Sequence, residues 1–179
     1  MRWLILIVFL SLTSAVRAQE PPTASGLLDA LAEAPDTAAA TGLEARISRQ
    51  WLQSGGATVA MLLGHAAQNL AGNDAEDAME DVQAAEALAP DNLEVIHYRA
   101  LARYHKGDVA GAYRDLEAVL SREPRHFAAW RSLSEIAEAQ GNLKAAYAAW
   151  QKLIALDPKT KDGAEHLEDL RRRVEGEKS

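Results

Sequence analysis

The sequence predicts an all-α fold, arranged as a helical-repeat solenoid of three full units with a helical hairpin before them and a capping helix after them. Three observations carry this. Alanine makes up about a fifth of the 179 residues while Val, Ile and Thr are sparse, so the apolar content favours helices over sheets. Pro90, Pro124 and Pro158 recur at a spacing of 34 residues, and so do Asn73, Gly107 and Gly141, and Ala78, Ala112 and Ala146. A shared period of this length is the mark of stacked helix–turn–helix units, each of which must bury its apolar face on the next. Finally, apolar residues on either side of the repeats recur at helical spacing.

Taken in order, residues 1–18 have the layout of a secretory signal peptide. Met1-Arg2 is a short positive start, Trp3 to Leu12 is a nearly unbroken apolar run, and small residues lead to Val16-Arg17-Ala18. An apolar run of this length rises only about 15 Å as a helix against a hydrocarbon core of about 30 Å, so it does not span a membrane. Cleavage after Ala18 leaves 17 basic against 26 acidic residues, a net charge of 17 − 26 = −9. The expected destination is across the inner membrane, in the periplasm, with no stable membrane anchor after cleavage.

Residues 19–24 form a proline-containing leader. Leu27, Leu28 and Leu31 make a first apolar stripe that ends at Pro35, and Leu43, Ile47 and Trp51 make a second. Residues 25–56 are thus expected to form a hairpin, a degenerate repeat that covers the open face of the first unit. Trp51 is its core anchor, and Asp36 or Thr37 caps its second helix. The three units follow at 59–92, 93–126 and 127–160.

Within each unit Ala66, Ala100 and Ser134 on the first helix face Ala78, Ala112 and Ala146 on the second, where small side chains let the axes approach to the usual 8–10 Å. Gly107 and Gly141 adopt positive φ at the turn without penalty, and Asn73 tolerates it next best. Asp74, Asp108 and Asn142 cap the second helices. Each closing proline is followed by a residue placed to cap the next helix: Asn92, the weaker His126, and Thr160. Arg99 and Arg103, at normally buried positions, are read as long stems reaching Asp115 or Glu117. Ala164, Leu167, Leu170 and Val174 define the capping helix at 161–175, with Asp162 and Glu165 at its start and ion pairs Glu168–Arg172 and Asp169–Arg173 on its polar face.

The third unit carries the pattern most fully, in Trp130, Leu133, Ser134, Ala137, Gly141, Ala146, Trp150, Leu153 and Pro158. These residues resemble the tetratricopeptide repeat (TPR) family, and the chain looks like a small exported bacterial protein of that class. The other two units depart from the pattern at their seventh and eleventh positions. The resemblance implies a concave face built from the first helices, with ligand-contacting positions that fall here on Leu63, His97, Tyr98, Leu101, Tyr104, His105, Arg131 and Glu135. It also implies a non-catalytic module that binds a peptide or protein segment there. The positions of a dicarboxylate clamp for chaperone C-termini are filled by Leu63, Ala67, Tyr98, Ala128 and Ser132, so that specificity is not expected.

Other classes are poorly supported by the residues. Without cysteine, thiol catalysis, disulfides and Cys-ligated metal are excluded. No HExxH, GxSxG or phosphate loop is present, and His97 and His105 stand about 12 Å apart along one helix, too far to share a metal. The acidic balance disfavours nucleic acid. The expected chain is not an enzyme, takes no cofactor or metal, and has an unknown protein or peptide as partner. Two further readings are an accessory subunit of a cell-envelope enzyme complex and a self-associating structural protein, a possible homo-oligomer.

Overall fold

The computed structural model describes residues 24–176, so the signal segment and most of the leader lie outside the described residues. Among the described residues there are nine helices and no strand: α1 (Ala24–Ala32), α2 (Thr37–Gln53), α3 (Ala57–Ala71), α4 (Ala75–Leu88), α5 (Leu93–His105), α6 (Val109–Arg122), α7 (Phe127–Ala139), α8 (Leu143–Leu156) and α9 (Gly163–Gly176). The pairs α3/α4, α5/α6 and α7/α8 pack antiparallel and stack in chain order, with α9 against α8. None of these helices is long and apolar enough to cross a membrane.

Local chemistry explains the boundaries. Asp74, Asp108 and Asn142 accept a hydrogen bond from the backbone N–H three residues on, opening α4, α6 and α8. The preceding turns need left-handed backbone, and it falls on Asn73, Gly107 and Gly141 at φ of 61°, 84° and 74°. Asn92 caps α5, and His126 caps α7 through a ring nitrogen that accepts from Ala129 N–H at 3.1 Å. The small residues at the helix crossings, Ala66, Ala78, Ala100, Ala112, Ser134 and Ala146, are fully buried, and the Ser134 hydroxyl donates to the Ala146 carbonyl at 2.8 Å. Arg99 and Arg103 both reach Asp115, at 2.7 Å each, so the charged side chains at these packed positions satisfy one another.

Two local expectations are corrected. Thr160 does not cap α9, which begins only at Gly163 after Asp162 at φ 57°; its hydroxyl is bound instead to Arg131 and Glu44. On α9 Glu168 pairs with Arg171 at 2.6 Å rather than with Arg172, and Arg172 turns to Asp169.

The larger correction concerns the hairpin. Asp36 caps α2 as expected, through Ala39 N–H at 2.8 Å. Leu27, Leu28, Leu31, Ala40 and Ile47, however, enter one core with Phe127, Trp150, Leu153 and Leu170, so the hairpin packs on the third unit and α9 instead of closing the first. The first unit already seals a small core from Val59, Leu63, Ala66, Val82 and Ala85, closed by Val95 of the second. The third unit offers the larger aromatic surface and Arg131 for Glu44, while Arg125 at the end of the second unit meets Asp29, both at 2.6 Å. The turn at Ser54-Gly55-Gly56 makes this course possible. A Cβ on Gly55 would lie 2.7 Å from Val59, and Gly56 sits at φ 91°.

Candidate functional site

The hairpin lies along the edge formed by the loops between repeats and over the adjoining start of the concave face. Glu44 meets Arg131 and Thr160, Trp51 stacks on His126 with ring centroids 4.3 Å apart, and Ser54 accepts from the Asn92 amide at 2.9 Å. At 1.5 Å per residue, the ten residues from Glu44 to Ser54 carry α2 about 15 Å along the stack, against the order of the repeats. The first turns of α5 and α7 are thereby covered.

The expected groove residues divide accordingly. Leu63 is 0% exposed inside the first unit's core and cannot meet a partner, because the small side chains around it draw α3 and α4 together. His97 is 6% exposed and its ring meets His126 edge-on at 5.1 Å. Tyr98, Leu101, Tyr104 and Arg131 are half-buried, and His105 and Glu135 are exposed. Burial, and then the charge of Glu94, push the Tyr98 hydroxyl above its ordinary range. Arg131 points to Glu44 of α2, leaving Leu101, Tyr104, His105 and Glu135 as the expected groove residues that are at least half open. A neighbouring hollow of about 260 Å³ is lined by Glu135, Glu138, Trp150 and His166.

Beneath the covered half, Glu94, His97 and His126 bring a carboxylate and two imidazoles within 4.8 Å of one another, all buried. This cluster of three was not read from the sequence, where His126 figured only as a cap. The available signal was register, since Glu94 follows the cap Asn92 just as Ala128 follows the cap His126, one period on. This is a donor set that a divalent metal would accept by type. The neighbours assign the hydrogens differently. Because His126 Nδ1 accepts from Ala129, its Nε2 keeps the hydrogen and donates to Glu94 at 2.9 Å. The Ser132 hydroxyl donates to the Ala128 carbonyl at 3.0 Å, so His97 Nε2 donates to Ser132 at 3.0 Å and its Nδ1 is left bare, 3.7 Å from Glu94. One free ring nitrogen and one carboxylate do not complete a metal site. Burial raises the Glu94 carboxyl, but the hydrogen bond from His126 first, and then the nearness of the His97 ring, outweigh it and hold it at about 2. Burial lowers His126, and the hydrogen bond to Glu94 offsets only part of that.

A second polar group stands beside Glu44, near the middle of α2. Asp157, 0% exposed, has no hydrogen-bond partner for either carboxylate oxygen. Burial first, and then the neighbouring Glu44, push it up to about 7.

The geometry defines an α-helical repeat solenoid, a class that uses its extended face to bind other molecules. Its turns, small crossing residues and period make the repeats tetratricopeptide-like. The chain is 28% identical over 145 residues to a TPR repeat-containing protein of Rhizobium etli, across 81% of this chain and 70% of that one. No family model matches the chain.

Proposed function

We propose that this chain is a non-catalytic exported scaffold that binds a protein or peptide segment along its concave face. The observation that carries the reading is that a helical segment, α2, already lies over the first turns of α5 and α7, where this face begins. Next to that helix the half-exposed Leu101 and Tyr104, with exposed His105 and Glu135, offer apolar, amphipathic and charged contacts together. Export is supported by the three-part pattern of Met1–Ala18 alone, and an N-terminus at Gln19 in the native protein would establish it.

The test begins with crosslinking in the native compartment and mapping of the crosslinked residues. With the captured partner, the double change Leu101→Ala, Tyr104→Ala is expected to weaken binding by at least about 2 kcal/mol, roughly 30-fold, at unchanged helical content. The control Glu80→Ala, Gln83→Ala, on exposed positions of α4, should have little effect. Crosslinks confined to the outer side, for example to the mostly apolar groove of about 510 Å³ lined by Tyr113, Trp130, Leu133 and Ala149, would overturn the reading.

A further inference from the structure

The face that α2 turns inward is a single stripe. Ala40, Glu44, Ile47 and Trp51 follow one another at helical intervals of 4, 3 and 4 residues, the anchor pattern of a helix lying in a groove. Ile47 is 0% exposed in the shared core, Glu44 is bound by Arg131, and Trp51 stacks nearly parallel on His126, with interplanar angle 15°, and tilts against Phe127. The seat is therefore shaped for a helix with a carboxylate or amide oxygen at one point and a flat aromatic seven residues later.

The chain's own helix fits this seat imperfectly. Among the described residues the buried side-chain polar atoms without a hydrogen-bond partner are His97 Nδ1 and the two oxygens of Asp157. Both residues border the seat, His97 through the His126 ring and Asp157 through Glu44. In α2 a carboxylate, Glu44, is set beside a second carboxyl, Asp157, so the two must share a proton or bury two like charges together. An amide at that point would accept from Arg131 and donate to Asp157. The hairpin is also tied at its other end by an ion pair at the surface, Arg125–Asp29, and joins α3 through Gly55-Gly56.

We propose that α2 is a displaceable occupant of the groove, and that the partner is an amphipathic helix that takes its seat, presenting Glu or, better, Gln to Arg131 seven residues before an aromatic that stacks on His126. This rests on the concave-face reading above and adds to it the chemistry of the partner and competition with the chain's own helix.

The probe is a fluorescent peptide of the α2 sequence, residues 37–53, titrated against the full chain. In the chain carrying Trp51→Ala, whose own helix is weakened, the peptide is expected to bind at least about tenfold more tightly than to wild type. A peptide with Gln for Glu44 should bind more tightly still, and adding Arg131→Ala to the chain should abolish the gain. Hydrogen exchange over residues 24–53 of the chain should accelerate when the peptide binds. Should Trp51→Ala fail to fold, Glu44→Ala serves as the weakened chain. Equal affinity for wild type and weakened chain, or indifference to Arg131→Ala, would overturn the proposal. Binding with unchanged exchange in the hairpin would place the peptide on the open half, overturning displacement while leaving the concave-face reading intact. A concentration-dependent dimer that exchanges its hairpins would overturn it in favour of a second copy as occupant. Native crosslinks confined to the outer side would remove both readings.

Discussion

Asp157→Asn is expected to stabilise the fold, and to do so in proportion to pH. The Asp157 carboxyl is fully buried beside Glu44 and is held at about 7, against an ordinary value of 3.8. The folded state therefore keeps its proton to higher pH than the unfolded chain. Its contribution to stability is intact below about pH 4, declines between about pH 4 and 7, and is constant above that. At 1.36 kcal/mol for each tenfold, the penalty is of the order of a few kcal/mol at about pH 8 and smaller at about pH 5, where the folded carboxyl keeps its proton. Asparagine has nearly the same shape and no charge to bury, so the variant should gain up to these amounts. Two other groups change stability in the opposite sense. Glu94, held at about 2, and His126, lowered from its usual range, both contribute stability that is lost as the pH falls. They are present in both chains, so they cancel when urea midpoints are compared at equal pH. Urea unfolding of wild type and variant at about pH 5, 6.5 and 8 measures the effect. A difference that does not grow with pH, or a variant less stable than wild type at about pH 8, would refute the placement of Asp157 against Glu44.

Four further outcomes are expected. Ala146→Leu, at a 0% exposed crossing between α7 and α8, should cost about 1–3 kcal/mol by overpacking. Trp150→Ala should cost about 3–5 kcal/mol, since its ring is 7% exposed and its N–H donates to Gly163 at 2.9 Å; chemical denaturation checks both. Asp115→Ala leaves Arg99 and Arg103 facing each other without their acid and should cost about 3 kcal/mol, more than Arg103→Ala, by the same measurement. Deleting residues 162–179 removes Leu170 from the core shared by the third unit and the hairpin, and should cause aggregation or non-cooperative melting in calorimetry and light scattering.

The period, the turns and the caps could be read from the sequence because each is decided within a few residues. Gly107, Gly141 and Asn73 are where they are because the turn needs positive φ, and Asp74, Asp108 and Asn142 because the first N–H groups of a helix need acceptors. The crossing alanines follow from the same local geometry, repeated every 34 residues. The sequence likewise showed that residues 25–56 would be helical and where their apolar stripe would run.

Where that stripe would be buried was settled only by the tertiary structure. Glu44 meets Arg131 across 87 residues and Thr160 across 116, distances over which no local rule operates. Their meeting depends on how far each repeat is rotated against the last, and on which of several apolar surfaces gains most from being covered. The first unit, closed over small Val and Ala side chains, had little left to offer, whereas Phe127, Trp150 and the two arginines offered area and charge together. The same superposition set Glu94, His97 and His126 into one buried network and left Asp157 without a donor. Periodicity fixes the repeating unit, and packing of the finished stack decides which face remains free for a partner.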